Sequence, residues 1–215
     1  MNRRHFIALV IAATSLGSCA AALAAGTPPT TQTILVVGDS LSAEYGLKRG
    51  TGWVALLENR LKTEKLNATV INASISGDTT SGGRSRLGTL LSQHRPSHVI
   101  IELGGNDALR GLPLSLTEDN LSQMTQAAQA AGARVLLVGM QIPPNYGRDY
   151  ADRFAAMFAA VAKVHKVALV PFLLAGVVDG TDPTQMFQAD RIHPKAEAHP
   201  IMLTNVWPAL RKLLK

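Results

Sequence analysis

The sequence predicts an α/β domain, built as a parallel sheet of about five strands with helices on both faces. Three observations carry that expectation. Short apolar runs of strand length alternate with segments whose apolar residues recur at helical spacing. The strand runs are continuously apolar rather than alternating, as in strands covered on both faces. A composition of 47% apolar and 17% charged residues is that of a chain with a true core.

Residues 1–25 read as an export signal. Arg3 and Arg4 precede the apolar run from Phe6 to Ala13, and Ala22-Leu23-Ala24 offers a cleavage site of the A-x-A kind. Removing 25 of the 215 residues leaves 190, enough for one domain. Residues 26–32, rich in Thr and Pro, form an extended leader, and residues 33–215 form the single domain.

Within that domain Ile34-Leu35-Val36-Val37, ending at Gly38, is the first strand. A helix follows from Trp53 to Lys65, with Val54, Leu57 and Leu61 on one face, and Thr69-Val70-Ile71 is the second strand. Leu87, Leu90 and Leu91 define a helix over Arg84 to His94 that must stop near Pro96. His98 to Leu103 is the third strand. Leu116 to Ala131 is a helix closed by Gly132, Arg134 to Val138 a strand, Tyr150 to His165 a helix, and Ala168 to Phe172 the fifth strand. Lys195 to Lys215 closes the chain as a helix that Pro200 and Pro208 should limit or kink. There is no internal repeat, and no apolar stretch beyond the signal has the length of a membrane span.

Charge and cysteine usage narrow the function classes. The formal charge of +6 becomes +4 once the two signal arginines are lost, the basic residues are scattered, and aromatics are 5%. That pattern has no nucleic-acid footprint, and weak attraction to anionic head groups is all it supports. Cys19 is the only cysteine, so no internal disulfide forms. It is either discarded with the signal, leaving a periplasmic or secreted protein, or lipidated as a membrane anchor, since Leu16-Gly17-Ser18-Cys19 resembles a lipobox. Asn2 to Ile7 resembles a twin-arginine signal, although an ordinary positive n-region explains the same arginines.

In open parallel sheets the ligand crevice lies beyond the carboxyl ends of the strands. There the first strand ends in Gly38-Asp39-Ser40-Leu41-Ser42, which sets a hydroxyl near an expected helix start, as a nucleophile or as a helix cap. The pattern G-x-S-x-G is absent, because Ser42 replaces its second glycine. Gly77, after the second strand, serves either a turn or an oxyanion through its N–H. Asn106, in Gly104-Gly105-Asn106-Asp107, is a turn residue or an oxyanion donor. Asp190-Arg191-Ile192-His193-Pro194 can supply a base and the carboxylate that orients it, or a mere surface pair.

Taken in chain order, these four segments resemble the SGNH (GDSL-type) hydrolase family. Gly38-Asp39-Ser40-Leu41-Ser42-Ala43, Asn72-Ala73-Ser74-Ile75-Ser76-Gly77-Asp78-Thr79 and Glu102-Leu103-Gly104-Gly105-Asn106-Asp107 look most like its bacterial thioesterase I / lysophospholipase L1 / arylesterase branch, as does Pro144-Asn145-Tyr146-Gly147. The resemblance implies a flavodoxin-like three-layer α/β/α fold, no cofactor and no metal. It also implies a catalytic triad of Ser40, Asp190 and His193, with the Ser40 and Gly77 N–H groups and the Asn106 amide as oxyanion hole. The implied reaction is hydrolysis of small-molecule acyl esters and thioesters, lysophospholipids among them, by way of an acyl-enzyme. Loop position suggests Leu109, Leu112, Ile142 and Pro143 as walls of an acyl groove. A carbohydrate O-deacetylase would share this triad, whereas a non-catalytic binding module would have no need of it. Glu44 and Arg191 stand where that branch usually has glycine, and both are expected to narrow or recharge the site. Of the remaining histidines, His94 and His98 have the spacing of a helical zinc pair, but Pro96 breaks the helix that would make them converge.

Overall fold

A computed structural model describes residues 31–142, 144–180 and 182–215. The export signal, Cys19 and residues 26–30 of the leader lie outside the described residues. Five parallel strands form one sheet in the order β2-β1-β3-β4-β5. They are β1 (Gln32–Gly38), β2 (Ala68–Asn72), β3 (His98–Glu102), β4 (Arg134–Val138) and β5 (Ala168–Val170). The central strands are the continuously apolar ones: Ile34 to Val37 have no exposed surface, while β2, at an edge, is only half-buried.

Among the described residues six α-helices complete the layers: α1 (Trp53–Thr63), α2 (Thr80–His94), α3 (Gly105–Leu109), α4 (Leu114–Ala130), α5 (Arg148–His165) and α6 (His199–Leu213). The helix α1 packs on α6, and α2 packs on α4, which packs on α5. The chain first moves from β1 outward to β2 and then returns across β1 to β3, so right-handed crossovers place these two groups on opposite faces. β1 and β3 therefore flank the switch point where the order reverses. Gly38 and Glu102 are register partners at their carboxyl ends, which sets the loops carrying Ser40 and Asn106 side by side.

Several boundaries differ from expectation for identifiable reasons. No helix starts at Ser40; residues 40–46 form consecutive turns and α1 begins at Trp53. The helix α2 begins at Thr80 rather than Arg84, capped by the Thr79 hydroxyl accepting from the Gly82 N–H. Its first turn packs through Gly83, where a Cβ would lie 2.3 Å from Leu103 Cδ1, so it lacks the apolar period that marks the rest. β5 stops before Pro171, which has no N–H for the ladder. Pro200 sits in the first turn of α6, where a missing N–H costs little, and α6 runs on past the exposed Pro208 to Leu213. The five-residue α3 was not anticipated, being too short to show a period.

Candidate active site

The turn that presents Ser40 is built by its neighbour. Asp39 Oδ1 accepts the Leu41 N–H at 3.0 Å, and the Asp39 carbonyl accepts from Ser42 and Ala43 at 3.2 and 2.9 Å. Ser40 caps no helix. Its Oγ lies 2.9 Å from His193 Nε2, and His193 Nδ1 lies 2.7 Å from Asp190 Oδ2. The Asp190 and His193 pair sits on the long segment between β5 and α6. Asp190 Oδ1 accepts the N–H groups of Ile192 and His193 at 2.9 and 3.0 Å, and Arg191 turns the chain between them at φ +58. What burial Asp190 has opposes its ionisation, but those two N–H groups and the imidazole outweigh it and hold the carboxyl down at about 2. The ionised Asp190 accepts from Nδ1–H, which leaves Nε2 to accept from the serine hydroxyl; the network assigns this tautomer.

The histidine is also braced from outside. The Tyr45 ring lies over the imidazole with centroids 4.2 Å apart. Gln188 donates its amide to the carbonyls of Tyr45 and Pro194 at 2.9 and 3.1 Å, and its backbone N–H to the His193 carbonyl at 2.8 Å. His199 is buried at the start of α6, where Nδ1 accepts the Trp53 N–H at 3.0 Å and the ring also bonds the Pro194 backbone. Burial lowers its pKa, despite the Pro194 bond and the Glu44 charge, so it serves as a neutral staple between α1 and the histidine loop.

The N–H groups of Ser40 and Gly77 find no acceptor among the described residues. Gly77 has φ +79, a conformation that suits glycine and turns its peptide at the end of the β2 loop. Asn106 is different. On α3 its Nδ2 donates to Asp39 Oδ2 at 3.1 Å and to the Asp78 carbonyl at 3.0 Å. Both amide hydrogens are engaged, so an oxyanion arriving here must share one with an existing acceptor.

Beneath these loops lies a group of buried acids. Glu102, at the end of β3, has no exposed surface; its Oε2 accepts the Ser42 hydroxyl at 2.6 Å, and Ser42 Oγ accepts the Trp53 indole N–H at 3.2 Å. Burial, then the neighbouring Asp39 charge, pushes the Glu102 pKa well up. Burial likewise raises Asp39 to about 6, against the Leu41 N–H and the charge at His193. Gly38 must be glycine, because a Cβ would stand 2.9 Å from Glu102 Oε2. Asp107 accepts the Thr80 N–H at 2.9 Å and also bonds the Thr80 and Thr117 hydroxyls, so this buried carboxylate ties α3 to the amino end of α2. Glu102 and its partners carry no motif in the sequence; the available signal is a lone carboxylate following the apolar run Val99-Ile100-Ile101 of a central strand.

Glu44 and Arg191 both adopt positive φ, +60 and +58, which gives a physical reason for glycine at such positions. The Glu44 carboxylate accepts the N–H of Gly50 at 3.0 Å and of Gly52 at 2.7 Å, just before α1. Of the candidate groove residues, Leu109 is exposed at the end of α3, while Leu112 and Ile142 are half-buried. Pro143 lies outside the described residues. A cleft of about 620 Å³ also opens beside Ala43, Glu44, Leu47, Val54 and Val70, between α1 and the edge strand β2. His98 is occupied elsewhere, with its ring nitrogens against Ser97 Oγ and the Leu213 carbonyl at 2.9 and 3.0 Å.

Comparison with known proteins gives the chain a family. Residues 36–201 match the GDSL-like lipase/acylhydrolase family. The chain is 51% identical to esterase TesA of Pseudomonas aeruginosa, over 93% of its own length and 98% of that protein's. It is 44% identical to thioesterase 1/protease 1/lysophospholipase L1 of Escherichia coli K12, over 79% of each. The crystal structure of TesA superposes with a TM-score of 0.81 at 53% identity, covering 85% of this chain and 99% of that one. The chain therefore belongs to the GDSL-like lipase/acylhydrolase family, as a hydrolase of carboxylic esters and thioesters.

Proposed function

We propose that Ser40 is the nucleophile, His193 the general base and then acid, and Asp190 the group that fixes the imidazole. The continuous hydrogen-bonded line from Asp190 through His193 to Ser40, at 2.7 and 2.9 Å, carries this reading. Ser40 Oγ attacks the acyl carbonyl as His193 Nε2 takes its proton, then the imidazolium returns that proton to the leaving alkoxide or thiolate. Water, deprotonated by the same nitrogen, hydrolyses the acyl-enzyme. The unengaged N–H groups of Ser40 and Gly77 meet the developing oxyanion, and Asn106 adds a shared hydrogen as negative charge builds.

The relatives are named for ester, thioester and lysophospholipid hydrolysis, and the substrate class proposed here is the same: small acyl esters and thioesters, with lysophospholipids included. The exposed Leu109 and the half-buried Leu112 and Ile142, with Pro143, would receive the acyl chain. Ser40→Ala tests the assignment. It should abolish turnover of a matched ester and thioester series and abolish fluorophosphonate labelling while the thermal transition persists. Labelling of another residue would sink it. The basic and apolar amino terminus supports export to the periplasm, and mass spectrometry of the mature terminus decides between cleavage near Ala25 and a lipidated Cys19 anchor.

A further inference from the structure

The loop that carries Gly77 has no regular structure, yet it is fastened from below by one side chain. Arg86 stands in the second turn of α2 with its side chain only one-fifth exposed. Its Nε and Nη2 lie 2.9 and 2.8 Å from Asp78 Oδ2, and its Nη1 donates to the Ala73 carbonyl. Nη2 also reaches the Gly38 carbonyl at 3.5 Å. One rigid fork thus joins the end of β1, the first residue after β2 and the residue after Gly77.

The Asp78 end of this clamp touches the oxyanion donors on both sides. The Asp78 carbonyl is one of the two acceptors that orient the Asn106 amide, and its N–H donates to Ile75, closing the turn that contains Gly77. The close approach of the carboxylate is built in: a Cβ at Gly82 would stand 1.9 Å from Asp78 Oδ1.

The geometry points to Arg86 as a positioning residue for the oxyanion hole, holding Gly77 and Asn106 in register with Ser40 through Asp78 and the Ala73 carbonyl. This rests on the catalytic reading above and adds to it a residue that touches no substrate. Arg86 acts on where the donors stand when negative charge develops. Its loss therefore weakens transition-state binding more than substrate binding.

The test is Arg86→Met, with Arg86→Lys and Asp78→Asn beside it. A displacement of about 1 Å at a reacting centre costs about 10²-fold, so Arg86→Met should lose about 10- to 100-fold in kcat with KM little changed. The inhibition constant of an alkyl boronic acid, which places an oxyanion in the same hole, should rise by the factor by which kcat/KM falls. Lysine, which keeps the charge but not the fork, should fall between the two, and guanidinium ion should partly restore Arg86→Met where sodium at equal ionic strength does not. Should Arg86→Met fail to fold, Arg86→Lys and Asp78→Asn carry the same measurements. Unchanged kcat in folded variants, or a loss that merely follows the folded fraction, would overturn the assignment. Parent enzyme left unlabelled at Ser40 would instead overturn the catalytic reading, so the two failures are distinguishable.

Discussion

The two halves of the site are held in opposite ways. Ser40 and Asn106 follow the central strands β1 and β3 and Gly77 follows the edge strand β2, all beside buried Asp39, Ser42, Glu102 and Asp107. Asp190 and His193 hang on the stretch between β5 and α6, which among its described residues contains only turns, one isolated bridge between Phe187 and Pro194, and a short 3-10 turn at Ala196–Ala198. The first half is bonded into the core, and the second is braced by Tyr45 and Gln188 near the surface and by buried His199 behind it. Chemistry that must meet a developing charge needs fixed donors, whereas an imidazole that swaps partners between serine, leaving group and water tolerates a looser mount.

The difference should show as a split between activity and stability. His193→Ala removes the proposed base and should lower kcat by about 10⁴-fold, on the scale of disabled triads elsewhere, with little change in melting temperature. Asn106→Ala removes one proposed oxyanion donor, for which about 10²–10³-fold in kcat is expected. It should also lower the melting temperature, because buried Asp39 loses the amide N–H on its Oδ2. Matched kinetics and thermal melts on the two variants check this. If His193→Ala is the more destabilised of the pair, the contrast fails.

A smaller effect concerns the acids on the core side. Glu102 has its pKa raised in the folded state, so above its ordinary 4.5 the folded protein keeps a proton that the unfolded chain has released. Stability therefore falls as pH rises from about 4.5 toward the raised value, the reverse of a salt-bridged carboxylate. Glu102→Gln removes that slope while still offering the Ser42 hydroxyl an acceptor. Urea midpoints across pH should show the parent losing stability relative to Glu102→Gln as pH rises. Parallel curves would mean that Glu102 does not titrate on unfolding.

How much of this was legible beforehand follows the same division. Ile34 to Val37 announce a two-face buried strand, Ser40, Gly77 and Asn106 stand out because they follow strand ends in short polar or glycine-rich loops, and Asp190 and His193 because an acid and an imidazole lie three residues apart. The buried support was not legible, because Glu102, Ser42 and Trp53 meet only through tertiary packing, and no local spacing brings residues 42, 53 and 102 together. Nor could spacing show that the two Asn106 hydrogens are already engaged, or that Arg86 reaches three segments at once. The loops' chemistry is local in sequence; the scaffold that aims it is not.

The smallest effects are expected at Arg191 and Glu44, two of the five non-glycine residues at positive φ among the described residues, one in each half. A left-handed conformation costs an L-residue about 1 kcal/mol or more, which glycine avoids at the price of a more disordered unfolded chain. Arg191 is exposed, none of its side-chain atoms makes a hydrogen bond among the described residues, and its charge acts only on the fully solvated Asp182, so the backbone balance dominates. Arg191→Gly should leave kcat near the parent value and raise stability by up to about 1 kcal/mol. Glu44→Gly gains the same relief but frees the N–H groups of Gly50 and Gly52, and it removes a carboxylate from the amino end of α1. Hydrogen bonds to a charged group are worth about 1.5–3 kcal/mol each, with exposure pulling the Gly50 bond toward or below the lower end, so the net change should be destabilising. Opposite signs in paired thermal melts are the expected outcome. Two stabilised variants would show that the Glu44 carboxylate contributes nothing net, and that the turn before α1 stands on its backbone alone.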